Sequence, residues 1–472
     1  MCVIFLLTFL TRYALRILVC VLSIYSSYHY YNLYRESQIC GNSNLFIDSM
    51  SHDVLIIGAG IAGLRTGIKV LTAYPHMKCI ILEKYNYNGG RVVTYHKTVP
   101  GVGKVQWENG AGRISSTHKN VLALLKQYKL TTYPISGDVM YLSDEMRQNR
   151  FSELHDVYLK PLRGLSLDIL QTHTLGQVSN MILGPKRTRE FYSQFPYFSE
   201  VHTLRADQAL DSFDHEMGSM SGFVGCKEGM SSIIDGMVGE FLGLGGTIEH
   251  GQEVISISSL KDKSVEVTCK QRDMKYRQTY TAPICVMALH SEAIKHIRGV
   301  SHLPVLDKLV MTPLLRMYAV FPVQKGKSWF SGIPKIVTPG PIRFIIPIDH
   351  RTIMISYTDG NDARYWLRKN PEMLEGEVMH HIRSLFPDLD IPDPIFFKTH
   401  PWTYGCTYWK PGRYNVIEES ERSLHPEPIQ MPGLFLCGES FAPIQCWMES
   451  AIEQSDHMTD HPMFRKALKS IL

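Results

Sequence analysis

Three glycines in Gly58-Ala59-Gly60-Ile61-Ala62-Gly63 stand at the spacing that lets a backbone wrap a pyrophosphate. Gly58 permits a tight turn, Gly60 lets the backbone approach the phosphates, and Gly63 allows a helix to pack closely on its strand. A helix opening at Ile61 and Ala62 turns free N–H groups and its positive dipole end toward that anion. Glu83, 20 residues beyond Gly63, is placed to accept hydrogen bonds from a ribose 2′-hydroxyl and to repel a 2′-phosphate, which disfavours NADP. The bland alternative, a glycine-rich turn that binds nothing, leaves Glu83 unexplained. The context agrees with the motif: Asp53 to Ile57 is a short apolar run, a helical pattern extends to about Ala73, and Cys79 to Leu82 reads as a second strand. This β-α-β unit implies a Rossmann-type dinucleotide site, and by itself it does not separate NAD from FAD.

The rest of the chain makes that separation. Lys84 follows Glu83, and then come Gly89-Gly90-Arg91, Gly110-Ala111-Gly112-Arg113, Gly229-Met230-Ser231-Ser232 and Gly405-Cys406. Leu434-Phe435-Leu436-Cys437-Gly438-Glu439 and Trp447-Met448-Glu449-Ser450-Ala451-Ile452-Glu453 close the series. In order and separation these motifs resemble the flavin-containing amine oxidase family, which includes monoamine oxidases, polyamine oxidases and L-amino-acid oxidases. The likeness is discontinuous and covers most of residues 53 to 455.

That resemblance implies FAD as cofactor and gives these positions roles. The glycine loop, Glu83, Lys84, Gly90 and the Gly110–Arg113 turn would border the FAD, with Arg91 gripping its pyrophosphate through a bidentate guanidinium. Val254 would hold the adenine by its backbone, and Gly438 and Glu439 the ribityl chain. Trp447 and Met448 would open a helix whose N–H groups face the flavin pyrimidine and stabilise its reduced form. Phe397 stands where a tryptophan of the family packs on the flavin. Read without the family, Arg91 is a turn arginine, Val254 a core residue and Glu439 a helix cap.

The family passes its amine between two aromatic walls. Trp447 matches one wall; Thr407 occupies the other, with Tyr404 and Tyr408 as substitutes, so the two-tyrosine cage of monoamine oxidases is altered. Arg113 resembles the arginine with which L-amino-acid oxidases hold a substrate carboxylate, and its alternative is a structural ion pair. Arg316 stands where most members carry a lysine that holds a water beside flavin N5. Arginine cannot act as a base, but it can hold that water. Cys406 matches the thioether-forming cysteine of monoamine oxidases, against which stands a buried structural thiol. The resemblance implies oxidation of a small amine or L-amino acid to an imine, with O₂ as acceptor yielding H₂O₂ and with Arg316, Trp447 and Arg113 in the catalytic shell. A desaturase or porphyrinogen-type oxidase of the same fold, or a catalytically weak FAD-binding scaffold, stand as alternatives.

The elements that must position these residues form an α/β chain. An FAD-binding Rossmann-type (GR2-like) domain is expected from residues 50–130, 223–300 and 426–472. It is interleaved with a mixed β-sheet and helical substrate domain from residues 131–222 and 301–425. The stretch from about 131 to 222 reads as helical, with few strand patterns; strands are expected at 252–258, 264–270 and 284–289, and a helix near 371–385. The net charge of +4 is spread without a basic block, so no nucleic-acid partner is expected. Ten cysteines lie scattered without metal spacing; they read as thiols in a reducing compartment, and no metal site is expected. Residues 3–28 are apolar and near spanning length, yet contain Arg12 and Arg16. Two readings of residues 1–49 stand: a membrane anchor, or an extension ahead of a cytoplasmic catalytic domain starting at Met50.

Overall fold

Val54–Ile57, Cys79–Leu82, Ile284–Met287 and Leu434–Leu436 are short apolar runs buried along their whole length. Such runs suit a parallel sheet covered on both faces. The computed structural model, which describes residues 50–214, 222–271, 277–426 and 431–471, builds that sheet. Its order is Thr247–Glu249, Cys79–Leu82, Val54–Ile57, Ile284–Met287, Leu434–Leu436, and every pair is parallel. Strand order reverses at Val54–Ile57, so a crevice opens beside its carboxyl end, where open α/β sheets take their ligands. Helix Ile61–Ala73 leaves from that point, buries Ile61, Leu64, Ile68 and Leu71, and packs against helices Met448–Asp460 and Ser231–Gly243. The strands of this sheet come from three separated stretches of the chain.

A second, seven-stranded sheet carries the other half of the site. Its order is Phe396–Trp409, Leu309–Val320, Thr352–Asp359, Phe344–Pro347, Lys335–Val337, Val139–Leu142, Gln148–Asn149. Leu309–Val320 runs antiparallel to both neighbours. Its alternation divides the faces: Leu315, Met317 and Ala319 enter one apolar core, while Tyr318 and Val320 belong to another. Opposite Thr312 and Leu314 the partner strand spends extra residues, pairing Cys406 and Trp402, so Thr403–Gly405 bulges out of register.

The stretch read as helical from 131 onward opens with strands Thr132–Ile135, Val139–Leu142 and Gln148–Asn149. Val139–Leu142 exists by pairing with Lys335–Val337, far away in sequence, which local periodicity does not register. The helices begin at Phe151 and include Leu175–Ser193 and Ala206–Phe213. Among the described residues no helix is long and apolar enough to cross a membrane; the apolar segment 3–28 lies outside them.

Candidate active site

The glycines of the first motif divide into two kinds. A Cβ on Gly63 would meet Gly58 O at 2.0 Å, and one on Gly58, whose φ is +104°, would meet Ala288 O at 2.7 Å. These two glycines let the strand, turn and helix close on each other. At Gly60, Gly90 and Gly438 nothing stands closer than 3.9 Å to the missing side chain, so three bare backbones border an open channel. Helix Ile61–Ala73 starts on Gly60 with no side-chain cap and no acid in its first turn, leaving its N–H groups to serve an anion in that channel. Glu83 is buried; its Oε2 accepts from Ala59 N at 2.8 Å and its Oε1 from Tyr85 N at 2.9 Å, so it also ties down the glycine loop. Burial lifts its pKa above the ordinary carboxylate value.

The other expected cofactor residues take varied places. Arg91 Nη2 pairs with Glu439 Oε2 at 2.6 Å, and its Nη1 donates to Gly405 O at 3.2 Å. Gly110 lies so tightly against Arg91 that a Cβ would stand 1.9 Å from its carbonyl oxygen. Val254 is half-buried beside an irregularity in the pairing of Gln252–Ser259, the strand that begins where Gln252 N meets Glu83 O at 2.8 Å. Lys84 lies on the surface in an ion pair with Glu253 at 2.7 Å. Gly112 borders Arg316, whose Nη1 lies 3.4 Å from where its Cβ would be.

Phe397 does not reach this region. It pairs with Ala319 and packs in the apolar core of Leu315 and Met317, on the opposite face of the sheet from Arg316. Trp402 stands by the Gly110 turn instead, with its Nε1 donating to Asn109 O at 2.9 Å. Trp402 stands at the edge of the bulge at Thr403–Gly405, five residues beyond Phe397 along the same strand.

Against the seven-stranded sheet lies a cavity of about 90 Å³, room for several waters or the amine end of a small molecule. Ala111, Gly112, Arg113, Arg316, Trp447 and Met448 line it, together with Tyr197, Tyr357, Cys406, Tyr408 and Cys446. Thr407 turns away, buried with its hydroxyl 2.7 Å from Ser440 Oγ. Tyr408 therefore forms the wall beside Cys406, and Tyr404 is exposed near His290. The Arg113 guanidinium lies 4.7 Å from the Phe223 ring and 5.2 Å from the Trp447 ring, with Tyr197 Oη 3.5 Å from Nη2. Trp447 also meets His118 edge-on at 4.7 Å. Arg316 rests over Tyr357 at 4.8 Å and donates from Nη1 to Glu108 O at 3.1 Å. Its Nε is buried with no acceptor among the described residues.

Glu108 and its hairpin were not legible as site residues. Strands Thr94–Val99 and Gly103–Glu108 stack Tyr95, Trp107 and Tyr318 in one column, with Trp107 4.9 Å and 4.8 Å from its neighbours. Trp107 Nε1 donates to His400 Nε2 at 2.9 Å, which draws the column to the Phe396–Trp409 strand. Glu108 ends this hairpin, accepting from Met230 N at 3.0 Å and Thr94 Oγ1 at 2.9 Å, and burial raises its pKa to about 7.

A family model for flavin-containing amine oxidoreductases matches residues 61–457. The chain belongs to that family. Its cofactor is FAD, and the open channel between Gly60, Gly90 and Gly438 fits the group, since side chains there would fill the space a pyrophosphate needs. Among solved structures the chain resembles a putrescine oxidase bound to putrescine, with a TM-score of 0.67 at 13% identity over 90% of this chain and 99% of that one. It also resembles a protein of Exiguobacterium sp. assigned as a protoporphyrinogen oxidase, with a TM-score of 0.66 at 15% identity over 89% and 100% of the two chains. At these identities the likeness establishes the fold. No curated protein matches the chain in sequence.

Proposed function

We propose that this flavoenzyme oxidises a small amine bearing a carboxylate, an α-amino acid, with O₂ as electron acceptor and H₂O₂ as product. The observation that carries the reading is Arg113 on the cavity wall, flanked by Trp447, Phe223 and Tyr197. A planar guanidinium held against aromatic rings is preorganised to take a carboxylate through two parallel hydrogen bonds. Bound FAD would supply a hydride acceptor for the C–H beside the neutral amine, and water would hydrolyse the resulting imine.

The chain's own residues supply orientation and electrostatics. Trp447 and Tyr408 wall the approach of the amine. Arg316, charged at every accessible pH, lines the cavity and is held in place by the Glu108 carbonyl, which accepts from its Nη1. Arg91 and the glycine loop would hold the pyrophosphate, and the free N–H groups at the start of helix Met448–Asp460 would favour negative charge on the flavin ring.

The test is a panel of L-amino acids, polyamines and arylalkylamines, read by anaerobic flavin bleaching and by peroxide release. Arg113→Ala should raise KM for amino acids about 10–100-fold, the worth of one lost charged hydrogen-bonding group, and leave KM for the matching decarboxylated amines unchanged. Equal losses on both substrate sets would overturn the carboxylate reading.

A further inference from the structure

Two cysteines share the wall of the cavity. Cys406 comes from the strand Phe396–Trp409 and Cys446 from the turn just ahead of helix Met448–Asp460. The other described cysteines, Cys79, Cys226, Cys269, Cys285 and Cys437, are buried, whereas these two are half-buried. Both side chains border the same small cavity. Cys446 Sγ also lies 3.6 Å from Thr407 O, the carbonyl next to Cys406. One ion pair ties their segments together. Arg91 donates to Gly405 O at 3.2 Å and pairs with Glu439 at 2.6 Å, and Glu439 accepts from Cys446 N at 3.1 Å.

We infer that Cys406 and Cys446 are a peroxide-sensitive dithiol that closes to a disulfide on the cavity wall. The oxidant is hydrogen peroxide from any source. The Cys406 thiolate attacks one peroxide oxygen, the O–O bond breaks, and hydroxide leaves; the sulfur is now a sulfenic acid. The Cys446 sulfur, giving up its proton, then attacks that sulfur; the S–S bond forms and the sulfenic oxygen departs as water. In sum, two thiols and one peroxide become one disulfide and two waters. The neighbouring Cys406, followed by burial, raises the pKa of Cys446. An S–S bond, about 2 Å long, would tie the turn that carries Trp447 to the strand that carries Tyr408 on the cavity wall. If turnover makes peroxide, the pair brakes its own enzyme; the disulfide chemistry itself does not depend on that.

Peptide mapping of the FAD-loaded protein tests this. After added hydrogen peroxide, denaturation and blocking with iodoacetamide, the Cys406 and Cys446 peptides should be joined by a crosslink that dithiothreitol releases. The buried cysteines should remain alkylated as thiols. Cys446→Ser should lose the crosslink and leave Cys406 open to dimedone, the sulfenic-acid trap. Wild-type mapping decides the matter even if that variant fails to fold. Full alkylation of both cysteines after peroxide, a crosslink to any other cysteine, or flavin joined covalently to the Cys406 peptide would each overturn the inference.

Discussion

Gly60 and Gly63 stand three positions apart and answer to different demands. The hydrogen of Gly63 faces Gly58 O, where a Cβ would stand at 2.0 Å, so Gly63→Ala should cost about 1–3 kcal/mol of stability through forced backbone movement. The hydrogen of Gly60 faces the channel, with Gly89 O the nearest group at 4.0 Å. Gly60→Ala should therefore fold with an apoprotein Tm close to wild type and yet bind FAD at least tenfold more weakly. Flavin absorbance per protein and thermal unfolding of the apoprotein separate the two effects. A Gly60→Ala protein with full flavin content would remove this residue from the pyrophosphate site. Both glycines were legible in the sequence, because the motif fixes them locally. Phe397 was placed by resemblance alone, whereas the face it takes is set by its pairing with Ala319 on a distant strand.

At the scale of elements, the hairpin Thr94–Val99/Gly103–Glu108 positions the site without lining the cavity. It delivers Glu108, whose carbonyl takes hydrogen bonds from both Arg316 and Tyr318. The hairpin's own anchor is Trp107, buried and stacked against Tyr318. Trp107→Ala should cost about 3–5 kcal/mol, the usual price of emptying a large aromatic site, measured as a shift in urea midpoint at constant m. A loss under about 1 kcal/mol, the scale of an ordinary substitution, would mean that the hairpin is held by something other than this column. Nothing in the local sequence marks Trp107 as special. Its partners Tyr318 and His400 arrive from strands of the other sheet, and only their pairing assembles the stack.

Across the whole molecule, burial holds several groups away from their ordinary charge states. His118 and His400 fall to about 4 and His290 to about 3, in each case mainly through desolvation. An unfolded histidine takes up a proton near pH 6.5, whereas these refuse it until well below. The stability each contributes is complete above pH 6.5 and is lost as pH falls toward 4. Glu108 and Asp359, lifted by burial to about 7 and about 6, act in the opposite sense, since the folded state takes up their protons before the unfolded one does. The histidine effect is therefore read by difference. His400→Gln keeps an acceptor for Trp107 while removing the titration, so the Tm advantage of wild type at pH 7 should shrink by pH 4.5. A constant gap would show that His400 carries no protonation penalty.

The β-α-β unit, its glycines and Glu83 were determined by the sequence itself, because strand, turn and helix there are neighbours along the chain and their spacing is their geometry. The order of the later motifs carried the family and its cofactor in the same way. Tertiary structure alone decided the composition of the cavity wall. Arg316 meets Glu108 across 208 positions of chain, and Cys406 and Tyr408 face inward while Thr407 turns away, the alternation of a strand whose register its pairing with Leu309–Val320 sets. Side-chain direction in a sheet follows register, and register here belongs to pairs of distant strands.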